Sequence, residues 1–188
     1  FGSSNTVMGV CISTTIVTLW KVNMGMRAWQ GSLVIFYIFL HIGLISHTVF
    51  THPAIAIPVN IVSIYLILTL SGQQMQMKSY LPFATCYVFA EYAPVSGVDY
   101  QMRLLGLAVG GACTAIFYFV VHRKDGQTHS VWDVFRNIHF TSTRHRFIVR
   151  MTFGLTVAEC IGQIFQLNKP IWIGMTVLSL TVPFLHEA

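Results

Sequence analysis

Charge is the scarcest commodity in this 188-residue chain: only 9 % of residues are Asp, Glu, Lys or Arg, against roughly 25 % in an ordinary soluble domain. A soluble fold of this length could not cover itself with so little charge. A bilayer removes that requirement, because lipid-facing side chains can stay apolar. Catalytic signatures are missing too. There is no nucleophile triad and no metal-ligand motif. No GxxxxGK[ST] phosphate loop occurs, which argues against ATP-driven pumping by this chain itself. No feature points to an enzyme, to a cofactor or to a bound metal. The four cysteines, Cys11, Cys86, Cys113 and Cys160, all fall in apolar stretches and form no CxxC pair. Neither a zinc site nor a disulfide framework is indicated, and buried thiols acting as small hydrophobes are expected. A starting Met and a signal-peptide n-region are also lacking. The chain opens on Phe1-Gly2-Ser3-Ser4 and stops at His186-Glu187-Ala188, close behind an apolar segment. Both ends are expected to be cuts within a longer protein.

What is present in abundance is hydrophobicity. Apolar residues make up 54 % and aromatics 13 %, and the mean hydropathy is +0.65. A transmembrane helix needs about 20 apolar residues. Seven segments approach that length, at 5–20, 29–50, 54–71, 80–96, 101–122, 147–166 and 171–185. The first, fourth and last are short, which leaves tilted, re-entrant or longer helices open. The expected fold class is all-α, a polytopic transmembrane bundle of about seven spans.

Positive charge offers a test of this set. If alternate loops go to alternate sides, nine of the eleven Lys and Arg residues share one side. These are Lys21, Arg27, Lys78 and a cluster of six between Arg123 and Arg150. Arg103 and Lys169 fall on the other. The positive-inside rule then makes the rich side cytoplasmic. A basic cluster could also indicate nucleic-acid binding, but its position between two apolar spans favours a cytoplasmic loop, with no nucleic-acid partner. Within that loop, Ser130 and Asp133 resemble a capping box. Val131, Val134, Phe135 and Ile138 recur at helical spacing, with Trp132 beside them. They predict a short amphipathic helix on the cytoplasmic surface; the alternative is an extension of the helix that follows.

Polar groups inside the apolar segments are the candidate functional residues. An ionisable side chain at the bilayer centre costs at least ~2.5 kcal/mol, so each one needs a reason. Glu159 is the only acid in its span, and Gln163 and Gln166 at i+4 and i+7 extend one polar stripe. That stripe must face protein or a water-filled cavity. Proton coupling or substrate contact is one reading; a satisfied structural hydrogen-bond network is the other. Glu91 and Arg103 fall near a turn. Either they lie at the interface, with Arg103 snorkelling to the headgroups, or they pair at an outer gate. Arg150, near the start of its segment, is an anchor at the cytoplasmic face or a contact for an anionic substrate. His41 and His47 are able to titrate near neutral pH, but six-residue spacing puts them on nearly opposite sides of a helix, against a metal site made by the two alone. Asn60, two residues after Pro58, marks a possible break whose freed backbone groups could line a site. Gly106 and Gly110 form a GxxxG, continued by Gly154, Ala158 and Gly162 in the later segment. Such stripes let helices approach closely, or leave room for a substrate path.

At residues 144–188 common membrane residues fall in a recognisable order. Arg150 and Gly154 lead to Ala158 and Gly162, then to Pro170, Trp172, Thr176 and Pro183. This resembles the opening two helices of a half in the fusaric-acid-resistance-like family, the aromatic acid exporters: an Arg at the helix start, an Ala/Gly-rich span, a short turn, then a Trp-x-x-x-Thr helix ending at Pro. Arg103 followed by Gly106, Gly110 and Gly111 is similar to the last helix of the preceding half. Plant malate channels share this architecture. The resemblance covers the last four segments well and the first three loosely.

The resemblance implies two repeated six-helix halves. Residues 1–122 would be later helices of one half, 123–146 a basic cytoplasmic linker, and 147–188 the first two helices of the next. The rest of the parent chain would then be a partner, alongside the bilayer, with a homo-oligomer possible. Several exporters of the family carry a large soluble region between the halves, whereas only about 24 residues lie here, so nothing assigned to that region transfers. The implied activity is export of aromatic or other small organic acids across a cell membrane, driven by the proton gradient. Glu159, backed by Gln163, would then be the proton site, and Arg150 and Arg103 cationic contacts for a carboxylate. Trp172 would stack on an aromatic ring or anchor at the interface. A passive organic-anion channel and a non-transporting membrane scaffold are the rival expectations.

Overall fold

A computed structural model describes residues 5–51, 53–126, 129–136, 142–165 and 171–181. Every element among them is helical: α1 (Thr6–Lys21), α2 (Ala28–Thr51), α3 (Pro53–Ser71), α4 (Leu81–Tyr92), α5 (Gly97–His122), α6 (Val131–Arg136), α7 (Thr143–Ile164) and α8 (Ile171–Leu180). A 3-10 turn over Gly72–Met77 follows α3. Each of the seven apolar segments read from the sequence corresponds to one of these helices.

Length and apolarity separate them. Among the described residues, three stretches are long and apolar enough to cross a membrane: Ala28–Val49, Ile55–Gln74 and Gly97–His122. The helices α1 and α8 are apolar but shorter. The twelve residues of α4 rise about 18 Å, well under the ~30 Å hydrocarbon core. The 22 residues of α7 are long enough, but they include Arg144, Arg146, Arg150 and Glu159. Among the described residues, three of the seven expected spans meet both criteria.

Glycine decides how the longest helices meet. The most extensive pairing is between α2 and α5. A Cβ on Gly31 would lie 2.5 Å from Tyr118 Cε1, and one on Gly111 would lie 2.9 Å from Phe39 Cβ. Neither distance is tolerated, so both positions need a hydrogen in place of a side chain. Gly110, a member of the GxxxG, faces Ile12 of α1 so closely that any Cβ would overlap it. Gly154 meets Val177 of α8 in the same way, at 3.0 Å. At these positions the small residues serve helix packing.

A short helix has the deepest position. Helix α4 packs against α1, α2, α3 and α8, and Phe83, Cys86, Tyr87, Val88 and Ala90 are all buried along it. Leu81 and Pro82 start it, which suits Pro, since the first helical turn has no use for its missing N–H. Helix α3 runs unbroken through Pro58, so the expected break near Asn60 does not occur. Asn60 is instead a buried residue on a continuous helix, 2 % exposed.

The capping box is present. Asp133 Oδ2 accepts from the Ser130 backbone N–H at 2.7 Å, and Ser130 Oγ accepts from the Trp132 N–H at 3.4 Å. Helix α6 buries Val134 and leaves Trp132 largely exposed. Helix α7 begins at Thr143, four residues before the expected start. Ser142 caps it by accepting from the His145 N–H at 3.1 Å. Ile138, Gln166 and Lys169 lie outside the described residues, as does Pro170 at the turn before α8.

Candidate functional site

Helices α3, α4 and α7 each place a polar side chain at one buried point. Asn60 comes from α3, Tyr87 and Glu91 from α4, and Glu159 from α7. Period-3.6 geometry puts Tyr87 and Glu91 on one face of α4, one turn apart. The centre of the cluster is Asn60. Its Nδ2 donates to Glu159 Oε2 at 2.6 Å, and its Oδ1 accepts from Tyr87 Oη at 2.6 Å. The amide orientation follows from the chemistry: a phenol O–H needs an acceptor and a carboxylate needs a donor. Ser63, one turn along α3 from Asn60, is also buried.

The two acids in this cluster are incompletely partnered. Glu159 is 4 % exposed, and its second oxygen, Oε1, is buried without a hydrogen bond. Glu91 Oε1 is buried and unbonded as well. The two carboxyl groups are close enough for their charges to interact. Ionising both at once would put like charges together in a low-dielectric interior, where each ion already costs several kcal/mol to desolvate. The phenol of Tyr92, one residue beyond Glu91, is a third unpartnered group here. Helix α8 closes this side of the cluster: a Cβ on Gly174 would sit 3.0 Å from Val88 Cγ1 and 3.4 Å from Tyr92 Cε2.

Arg103 takes a different place from either one expected. It does not snorkel; it is 2 % exposed. Its Nε donates to Asn5 Oδ1 at 3.0 Å and its Nη1 to the Ala90 carbonyl at 3.4 Å. Asn5 Nδ2 in turn donates to the Asp99 carbonyl at 3.0 Å. Arg103 thus ties the start of α1 to the end of α4, while Glu91, the next residue along α4, belongs to the Asn60 cluster. The outer-gate pair is replaced by two separate arrangements on adjacent residues of one helix.

The remaining candidates are not gathered into the cluster. Arg150 is exposed on α7, in its third turn, because the helix starts earlier than its apolar character does. Trp172 is 66 % exposed near the start of α8, and its carbonyl accepts from Thr176 Oγ1 at 2.7 Å, the local bond behind the Trp-x-x-x-Thr spacing. Gln163 is on α7 one turn from Glu159; its side chain lies outside the described part of the structure. His41 stacks on Tyr37, with ring centroids 5.5 Å apart, and His47 on Tyr100 at 4.0 Å. Among the described residues no group of three or more His, Cys, Asp or Glu is placed to hold a metal ion.

Tyr87 is not legible in the sequence as a site residue. Tyr is common in apolar helices, and nothing in the spacing of α4 reveals that the Tyr87 hydroxyl meets an amide from another helix.

A second polar network ties helix ends together away from the acids. His122 Nε2 lies 2.7 Å from the Leu19 carbonyl at the end of α1, and its Nδ1 lies 2.6 Å from Asp125 Oδ2. Asn23 Nδ2 donates to the same Asp125 oxygen at 2.8 Å. Asn23 Oδ1 accepts from Tyr118 Oη at 3.0 Å and from the Gly25 N–H at 2.8 Å. Asp125 follows the last turn of α5, and the hydrogen bond from Asn23, then that from His122, holds its carboxyl below the usual aspartate range.

No protein-family model matches the chain, and no curated protein or solved structure matches it either.

Proposed function

We propose that this chain is part of an integral membrane transporter that moves small organic acids, aromatic acids among them, outward at the expense of the proton gradient. The single observation that carries the reading is the Tyr87–Asn60–Glu159 chain with Glu91 beside it. It is a line of hydrogen-bonded groups across three helices in which the acids are the proton carriers, with an unbonded oxygen on each acid. A purely structural network would be expected to close its hydrogen bonds, because an unpartnered buried polar atom costs about 1–3 kcal/mol. An acid that must take up and release a proton needs a spare oxygen and a neighbour whose hydrogen bonds can rearrange. The resemblance of residues 144–188 to aromatic acid exporters points the same way.

In this reading the helices of the chain form seven spans of a larger bundle made of two repeated halves. The basic stretch at 123–146 faces the cytoplasm. The shortness of α4 is then a feature of the transport path: α4 is enclosed by α1, α2, α3 and α8 and need not match the lipid thickness, and Glu159 of α7 is buried against α3. The cation for a substrate carboxylate would come from Arg103 or Arg150, the first buried beside α4 and the second exposed on α7.

The test is efflux of a panel of aromatic carboxylates from proteoliposomes, with and without a proton gradient. Efflux that requires the gradient, and that is abolished by Glu159→Gln in protein of unchanged fold, is the expected result. Gradient-independent flux that follows voltage would indicate a passive anion channel. Absence of flux from folded protein across the whole panel would favour a scaffold.

A further inference from the structure

A second polar site lies some distance along α3 and α7 from the acid cluster, at the ends of those helices. Four chain segments converge there on a cavity of about 440 Å³: the α1–α2 loop, the 3-10 turn, the approach to α6, and the first turn of α7. Gln73, Gln74, His129, Ser130, Asp133 and Arg144 supply its polar wall. Backbone geometry keeps the space open. Gln74 departs from helical angles at φ −108, ψ 72, so α3 does not continue across the cavity. Gly25 turns the opposite wall at φ 74, a conformation that favours glycine.

The wall carries one cation and one fixed anion, and they do not neutralise each other. Arg144 Nη2 donates to the Thr69 carbonyl at 2.8 Å, which anchors the guanidinium on the end of α3. Its Nε is buried and has no hydrogen-bond acceptor. Asp133 is held from the other side, with Oδ2 accepting the Ser130 N–H. No ion pair joins Arg144 to Asp133 among the described residues, although both line the same cavity. Ser130 Oγ already accepts from Gln30 Nε2 at 3.2 Å and from the Trp132 N–H, so its proton is free to be donated. Gln73 Nε2 is tied to the Thr69 carbonyl at 3.1 Å, which leaves its amide oxygen as an acceptor.

An anion alone would leave Asp133 repelling it, and a cation alone would leave Arg144 doing the same. A ligand with both signs satisfies both. We infer that this cavity binds a small zwitterion of the α-amino acid type, its carboxylate on Arg144 and its ammonium on Asp133. The inference does not depend on the acid cluster carrying protons. The cavity volume holds such a molecule with its side chain, and the Gln73 and Gln74 amides and Ser130 hydroxyl suit a polar side chain.

The test starts on the unaltered chain in lipid nanodiscs, titrated calorimetrically with a set of common α-amino acids. At least one is expected to bind with a dissociation constant below about 1 mM. Its N-acetyl derivative, which lacks the ammonium, and its methyl ester, which lacks the carboxylate, are each expected to bind at least tenfold more weakly. Asp133→Asn keeps an acceptor for the Ser130 N–H and is expected to reproduce the loss seen with the N-acetyl derivative. Failure of every amino acid to bind would overturn the proposal. So would equal binding of the N-acetyl form, which would make the cavity a simple carboxylate site, or displacement of the amino acid by inorganic phosphate at equal concentration. Because the first arms use no mutation, a variant that fails to fold cannot obscure the outcome.

Discussion

Asn60 and Glu159 are 99 residues apart in the chain and 2.6 Å apart in the structure, amide nitrogen to carboxylate oxygen. That bond joins the middle of α3 to α7, and the other end of the Asn60 amide reaches Tyr87 on α4. One amide therefore serves two helices, and its removal strands a partner on each. Asn60→Ala is expected to lower stability by about 2–4 kcal/mol, the cost of orphaning a buried carboxyl oxygen and a buried phenol while leaving a small void. Tyr87→Phe removes only the donor to Oδ1 and should cost about 1–2 kcal/mol. Thermal unfolding in one detergent, compared across the three proteins, checks the order. Equal stability of Asn60→Ala and the unaltered chain would mean that the amide bridges nothing.

Gly31 and Tyr118 make a different kind of contact. The ring would stand 2.5 Å from any Cβ at position 31, and it cannot swing away freely, because its hydroxyl accepts from the Met24 N–H at 3.1 Å and donates to Asn23. Gly31→Ala is expected to destabilise by about 1–3 kcal/mol through overpacking. In Tyr118→Ala the obstacle is absent, so the double variant should lose less than the sum of the single ones. Strict additivity in that cycle would show that the two residues do not touch.

Much of the fold was legible because the signal was redundant. Seven apolar runs gave seven helices, and the Ser130–Asp133 spacing gave the start of α6 through a cap whose bonds are present. Helix α7 starts earlier than its apolar run for a physical reason. Its first turn is Thr143, Arg144, His145 and Arg146, as polar as a linker, although Ser142 in front of it is an ordinary cap. The site was legible in part. Glu159, Glu91 and Asn60 announced themselves as polar groups in apolar runs. Their grouping did not, because it depends on which faces of α3, α4 and α7 meet, and helical periodicity within one segment says nothing about the rotation of its neighbour. Arg103 shows the same limit: the cost of burying it was evident, but its acceptors, Asn5 Oδ1 and the Ala90 carbonyl, are supplied by distant parts of the chain.

The network at the end of α5 predicts a pH dependence with a definite sign. Asp125 is held below its usual value of 3.8 by hydrogen bonds from Asn23 and His122. A carboxyl whose folded value is depressed contributes stability that is fully present above the unfolded value and is lost as pH falls through the folded one. The contribution should therefore be constant at neutral pH and fade below about 3.8. Asp125→Asn is expected to be less stable than the unaltered chain at pH 6, with the gap closing between pH 4 and pH 2. Denaturation followed by far-UV circular dichroism at several pH values measures it. A gap that stays constant down to pH 2 would assign the effect to shape and not to charge.

Glu91 and Glu159 allow the transport reading to be separated from a structural one. If the pair exists to hold α4 against α7, replacing either acid by its amide should weaken the fold. If it exists to handle a proton, two nearby acids with unbonded oxygens are a strained arrangement retained for activity, and stability and function should move in opposite directions. Glu91→Gln keeps the shape and removes one of the two interacting charges. It is expected to leave the unfolding temperature unchanged or to raise it by a few degrees, an effect of about 1 kcal/mol or less. Gradient-driven efflux should fall at least tenfold in the same protein. Glu159→Gln should behave alike, with Asn60 Nδ2 keeping its orientation and donating to the new carbonyl. The double variant should be no less active than the worse single one, since both substitutions interrupt one shared step. Loss of stability in both single variants, with efflux retained, would instead identify the cluster as a packing element, and the proton path would have to lie elsewhere in the bundle.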